Sequence, residues 1–171
     1  MQRPKQGDYS PYYEDYIKLV EGNDPVNIME KQLTETPKFF GAIPEAKGNY
    51  SYAEGKWTIK EILGHIIDTE RVFAYRVMCI ARGEKQSLPG FEQEDWVKAS
   101  NFAKRKLIDL IDEYKKLREA NLAMLKSLDE EAIGRKGIAN NKNITVNALF
   151  YIIPGHEKHH LNILKERYLN N

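Results

Sequence analysis

Apolar residues recur along the chain at intervals of three and four, in blocks separated by proline, glycine and asparagine. No run alternates apolar and polar residues between hairpin turns. The pattern predicts an all-α fold. SPYYEDYIKLVEG predicts a short helix stopped by Gly22 and Asn23. Asp24 then caps a second helix, DPVNIMEKQLTETPKFFGAI, with Pro25 in its first turn and Pro37 as a kink or an end. After the loop PEAKGNYSYAEGK, the stretch WTIKEILGHIIDTERVFAYRVMCIARG predicts a long helix capped near Thr58 and ended by Gly83. Its apolar stripe is Ile59, Ile62, Leu63, Ile66, Phe73, Val77 and Ile80.

QSLPGFEQEDW reads as loop. From about Glu94 a helical pattern runs to Leu128, interrupted near Ser100, a residue suited to cap the second part of it. Leu107, Leu110, Ile111, Tyr114, Leu117, Asn121, Leu125 and Leu128 form its stripe. A short helical turn starts at Asp129, and IGRKGIANNKN, rich in glycine and asparagine, reads as loop. Thr145 caps the last helix, TVNALFYIIPGHEKHHLNILKERYL. Four long helices joined by loops predict an antiparallel four-helix bundle with a short extra N-terminal helix, the long connections forming the rims of any pocket. With no repeat or shift in composition, residues 1–171 read as one domain, 1–23 being an N-terminal extension.

Composition narrows the function classes. The 171 residues are 42% hydrophobic and 30% charged, and 26 Lys plus Arg against 25 Asp plus Glu leave a net charge of +1. That balance supplies little of the phosphate attraction nucleic-acid binding requires, and KRK at 104–106 and YKKLR at 114–118 read as a solvated helix face. The lone Cys79, among apolar neighbours, excludes an internal disulfide and fits a reducing compartment. No signal peptide or membrane span is evident, so a cytoplasmic protein with no membrane partner is expected.

Candidate chemistry lies in the histidines. GHEKHHLNIL, residues 155–164, holds three of the four. His156 and His160 stand one turn apart, and steps of 100° put both within the inward stripe of Val146, Leu149, Ile153, Ile163 and Leu164. His159 falls on the flank, looking toward solvent or a loop. His65 borders the other strongly apolar helix, on one edge with Ile62, Thr69, Val72 and Arg76. Two imidazoles one turn apart and a third from a facing helix would satisfy a catalytic metal site with an open fourth position. Histidines satisfied within a core are the plain alternative. Glu157 and His160 also form the Glu-x-x-His pair of di-iron bundles, but Ile62 stands three before His65, so no second pair exists.

KWTIKEILGHIIDTERVFAYR, followed some ninety residues later by NITVNALFYIIPGHEKHHLNILKER, resembles the DinB family, the YfiT-like bundle proteins named as metal-dependent hydrolases. The resemblance runs from about Asp24 to the C-terminus. It rests on the order of the motifs: a tryptophan opening the second long helix, a histidine eight residues on, and a pair spaced by four on the last helix. It implies a four-helix bundle holding a divalent metal ion, zinc or nickel, on His65, His156 and His160. It also implies a thiol S-transferase, with a low-molecular-weight thiol as cosubstrate, or a hydrolase of small molecules; a noncatalytic stress-response bundle that binds metal or ligand is the alternative. Homodimers are implied by the same analogy.

Three neutral imidazoles leave the ion's +2 charge uncompensated, which favours ionising either water or a thiol in the open position. Asp68, Glu70 and Glu157 are candidates for orienting ligands or moving protons, each with an ordinary surface or ion-pair role as alternative, Glu70 pairing near Arg71. Arg71 and Arg76 are candidates for binding a carboxylate, or else solvated. Trp57 is expected to pack under the helix start. Pro154 predicts either a kink before His156 or a fresh helix beginning there.

Overall fold

The computed structural model describes residues 1–169. Helices α1 (Glu14–Lys18), α2 (Pro25–Gly41), α3 (Ile59–Ala81), α4 (Gln93–Ala99), α5 (Leu107–Lys126), α6 (Glu130–Gly134) and α7 (Val146–Ile163) are joined by one hairpin, β1 (Lys136–Ala139) with β2 (Lys142–Thr145). The four long helices, α2, α3, α5 and α7, form the four-helix bundle the periodicity predicts. The last two residues of the expected 1–171 domain lie outside the described residues.

Local chemistry sets the helix starts. Thr58 and Glu61 form a reciprocal capping box at α3: Glu61 N–H donates to Thr58 Oγ1 at 3.2 Å and Thr58 N–H to Glu61 Oε2 at 2.7 Å. Asp24 accepts from Asn27 N–H at 3.0 Å, and Thr145 from Ala148 N–H at 3.0 Å, as expected for α2 and α7. Ser100 does not cap α5. Its hydroxyl donates to the Val97 carbonyl at 2.7 Å and accepts from Phe102 N–H at 3.4 Å, so it caps only the single turn that follows, while the first N–H of α5, on Leu107, is taken at 2.9 Å by Glu45 from a distant loop.

Both internal prolines sit inside continuous helices, so Pro37 does not end α2 and no fresh helix begins at Pro154. Packing of the helices on either side outweighs the lost backbone bond. The stretch read as loop at 133–143 contains β1 and the first half of β2, turning at Asn140 and Asn141, whose φ values of 50° and 57° suit a two-residue hairpin turn. Strands of four residues are too short for alternation to show.

Two core clusters mark the ends of the bundle. One joins Phe40, the start of α3, the start of α5 and Leu164; the other joins Met29, the end of α3, the end of α5 and the start of α7. Hence α3 and α5 run the same way, antiparallel to α2 and α7. The connection between α3 and α5 must therefore travel the length of the bundle, which accounts for its α4 and its long loop. Leu88 in that loop is tied to the hairpin by Leu88 N–H to the Ile138 carbonyl and Asn140 N–H to the Leu88 carbonyl, each 2.9 Å. No described helix is long and apolar enough to cross a membrane.

Candidate metal centre

His65 and His156 each follow a glycine at which a neighbouring element comes too close for a side chain. A Cβ on Gly64 would lie 2.3 Å from the Phe102 ring, and one on Gly155 would lie 2.0 Å from the backbone carbonyl oxygen of Tyr16. The second contact seats α1 directly on α7. Because backbone cannot swing aside as a side chain does, Gly155→Ala should push α1 off α7 and destabilise the protein by about 1–3 kcal/mol. A urea midpoint equal to wild type, with unchanged protease resistance across residues 14–18, would contradict this close approach.

His65, His156 and His160 converge. His65 Nε2 lies 3.0 Å from His156 Nε2, and His160 Nε2 lies 3.1 Å from the same atom. All three nitrogens fall within 4.8 Å of one another. The residues are 3%, 5% and 9% exposed, so little water reaches the cluster. His65 Nδ1 meets the Thr69 hydroxyl at 3.4 Å, one turn along α3. Trp57 lies 4.6 Å from the His65 ring and stacks at 6.3 Å on His160, while the Tyr16 ring is 5.3 Å from that of His156.

Burial holds all three imidazoles neutral. It lowers the pKa of His65 to about 4, with His159 adding to the shift, and drives His156 and His160 well below the ordinary value, each further depressed by its histidine neighbours. In the unfolded chain these groups take up protons below about pH 6.5. Between there and pH 4 the unfolded state binds more protons, so the metal-free protein should lose up to about 1.4 kcal/mol per imidazole for each pH unit of acidification. Burial raises the carboxyls of Glu157 and Asp68, which act in the opposite sense, but it lowers His159 as well, so two groups stand against four imidazoles. Denaturant titrations of chelated protein across this range check the slope; stability that held or rose on acidification would contradict it.

A pocket of about 380 Å³ opens beside the cluster, with His65 and His156 in its wall together with Tyr12, Tyr13, Tyr16, Phe73 and Arg76. Its rim comes from the N-terminal segment, the hairpin and the connection between α3 and α5. Of the long connections expected to form rims, the one before α3 does not take part.

A sequence model of the DinB superfamily matches residues 28–164. The chain belongs to that superfamily. It is 26% identical over 124 residues, 71% of this chain and 70% of the relative, to an Oceanobacillus iheyensis protein named "Putative metal-dependent hydrolase". In fold this DinB protein is similar to YfiT from Bacillus subtilis, described as "a probable metal-dependent hydrolase with an unusual four-helix bundle topology". The TM-score is 0.69 at 15% identity, covering 96% of this chain and 90% of that one. It is also similar to a mycothiol-dependent maleylpyruvate isomerase, with a TM-score of 0.65 at 11% identity over 85% of this chain and 61% of the isomerase.

The carboxylates near the histidines in sequence turn elsewhere in space. Glu157 points away from the cluster and accepts from Thr36 Oγ1 at 2.5 Å, Tyr114 OH at 2.9 Å and Arg118 Nη2 at 2.5 Å. Glu70 pairs not with Arg71 but with Arg118, accepting from its Nε at 2.8 Å and Nη2 at 2.7 Å, and from Asn121 Nδ2 at 3.0 Å. Arg118 also donates to Gln32 Oε1 at 3.1 Å, and Gln32 donates to the Pro154 carbonyl at 2.9 Å. This polar layer joins all four long helices. Arg118 is 0% exposed, so the solvated face assigned to 114–118 holds only for Lys115 and Lys116. Asp68 and Arg71 pair with each other in a surface cluster with Glu113.

Of the residues around the centre, two were placed only in part by the sequence reading and one escaped it. Trp57 packs on two of the histidines as well as leading into the helix. Tyr16 comes from a segment treated as an extension, and His159, expected to face solvent or a loop, is half-buried with Tyr16 5.2 Å away. The signal for Tyr16 was the glycine before His156, a helical position where a close neighbour leaves no room for a side chain.

Proposed function

We propose that this DinB protein is a metal-dependent enzyme in which Nε2 of His65, His156 and His160 holds one divalent ion, zinc or nickel. In this reading it acts on a small molecule in the adjoining pocket as a thiol S-transferase or a small-molecule hydrolase. The observation that carries this reading is the meeting of three imidazole nitrogens from two helices in one nearly dry cluster. The donor set fits such an ion. Bonds of about 2.0–2.1 Å to a tetrahedral ion put ligand nitrogens roughly 3.3–3.4 Å apart; the two separations from His156 Nε2, 3.0 and 3.1 Å, need to open slightly, and the third, within 4.8 Å, has to settle to the same spacing. The imidazoles are already neutral, as ligands must be.

An ion of this kind supplies Lewis acidity, ionising water or a thiol near neutral pH. The protein's own residues do the rest. In the Nδ1–H tautomer His65 would donate to Thr69 Oγ1, 3.4 Å away, which would leave the Nε2 lone pair free for coordination and orient the ring. The rings of Trp57 and Tyr16 flank the imidazoles and keep water from their sides. The aromatic wall offers a small molecule an apolar surface within a volume typical of ligand sites. The name of the Oceanobacillus relative supports water as nucleophile, and that of the isomerase supports a thiol.

Elemental analysis of untagged protein purified without added metal, beside His160→Ala, tests the centre. One equivalent of zinc or nickel per chain is expected, and none in the variant. Turnover of electrophiles by water or thiols should stop on chelation and return when the ion is restored. Metal-free protein, or turnover indifferent to chelation, would defeat the proposal; tight metal binding without turnover across a broad panel would show a noncatalytic binding protein.

A further inference from the structure

Arg76 is a buried cation without a counter-ion. It stands on α3 eleven residues beyond His65, about 16 Å along the axis and within roughly 20° of the same face, and it is 2% exposed. Arg118, equally buried, meets two carboxylates. Among the described residues Arg76 meets none. Its Nη2 donates to the Pro89 carbonyl at 2.8 Å, and its Nη1 reaches the Tyr13 hydroxyl only at 3.5 Å. Its buried Nε has no partner, and the Phe73 ring lies 5.7 Å from the guanidinium carbon. Stripping water from a guanidinium without supplying a negative charge is costly, and one carbonyl does not offset it.

Tyr13 is similarly underused. Its hydroxyl accepts at that long contact, and among the described residues its own proton has no acceptor. Arg76 and Tyr13 both line the pocket that His65 and His156 border. The other charged groups in its wall, Lys142 and Glu92, are exposed and opposite in sign, so Arg76 leaves the interior with a positive charge.

We propose that Arg76 and Tyr13 form the anion-receiving subsite of this pocket, and that the molecule bound there carries a carboxylate at the end remote from the histidines. A carboxylate accepts from the guanidinium fork and from a phenol at once, and its single charge balances that of Arg76. The Phe73 ring bridges the subsite and the histidines, 5.7 Å from the guanidinium carbon and 6.0 Å from the His156 ring, so a compact ligand lying along that ring reaches from one to the other. Calling that ligand the substrate or cosubstrate rests on the metal-dependent reading above; the subsite itself stands on Arg76 and Tyr13.

The test titrates para-fluorinated hydrocinnamate and its neutral carboxamide into the full chain, followed by fluorine NMR, with protein as purified and after chelation. The carboxylate should bind wild type roughly tenfold more tightly than the amide. The preference should fall to about twofold or less in Arg76→Gln and drop roughly threefold in Tyr13→Phe. Arg76→Gln removes an unpaired buried charge, so it should unfold at no lower temperature than wild type; if it fails to fold, Tyr13→Phe decides. Equal binding of the two probes to wild type would leave Arg76 a loop anchor only and overturn the proposal, as would an undiminished preference in a folded Arg76→Gln protein. Purified protein lacking metal would defeat the metal reading alone, because the comparison in chelated protein needs no ion.

Discussion

Arg118→Met should lower the free energy of unfolding by about 3–5 kcal/mol and the thermal midpoint by roughly 10–15 °C. The physical reason is what the change leaves behind. Glu70 and Glu157, 3% and 1% exposed, would face one another's layer as buried carboxylates without a cation. Gln32 would lose the donor that orients it toward the Pro154 carbonyl. The loss comes from stranding charge rather than from removing a strong bond, so taking away the charges should undo most of it. The triple variant Glu70→Gln, Arg118→Met, Glu157→Gln keeps one oxygen acceptor at residue 157 and offers the other hydroxyl of the Thr36 and Tyr114 pair an N–H to accept, and it should recover to within about 1–2 kcal/mol of wild type. Calorimetry on the two proteins separates these outcomes. A single variant as stable as wild type, or a triple variant no better than the single one, would show that the layer does not tie the helices together.

The second large effect concerns binding. A divalent ion at a hundred times its dissociation constant stabilises a protein by about 2.7 kcal/mol, so zinc or nickel should raise the melting temperature of chelated wild-type protein by several degrees. His156→Ala should abolish that rise, with affinity falling by more than about a hundredfold, because His156 Nε2 is the atom both other histidines approach. His159→Ala should retain the rise, since that ring turns toward Tyr16. A metal-induced shift that survives in His156→Ala, or disappears in His159→Ala, would place the ion elsewhere.

Much of this architecture is legible in the sequence because helical periodicity states which face is buried. The α3 stripe from Ile59 to Ile80 and the caps Asp24, Thr58 and Thr145 lie where the pattern puts them, and the same arithmetic places His156 and His160 on the inner face of α7. The buried layer was not legible, because a wheel assigns faces without saying which polar residue meets which. Arg118 stands just beyond two exposed lysines and reads as one more solvated charge until Glu70 and Glu157 arrive from other helices. The hairpin escaped because four-residue strands carry too few positions for alternation, and its turn uses Asn-Asn rather than a glycine. Trp57 and Tyr16 stand outside the long helices, where periodicity carries no information about what they cover. The parallel run of α3 and α5 depends on a connection long enough to cross the bundle, a feature visible in the chain only as length.

Substitution with cobalt(II) tests the central claim most directly, because its visible spectrum reports both the geometry of the ligands and access to the ion. One equivalent added to chelated protein should give the intense absorption of a four-coordinate site, which should shift when a small thiol is added and be absent from His65→Ala, His156→Ala and His160→Ala. Weak absorption like that of the hydrated ion, or an intense spectrum that survives the loss of any one of these imidazoles, would contradict a three-histidine centre with an open position.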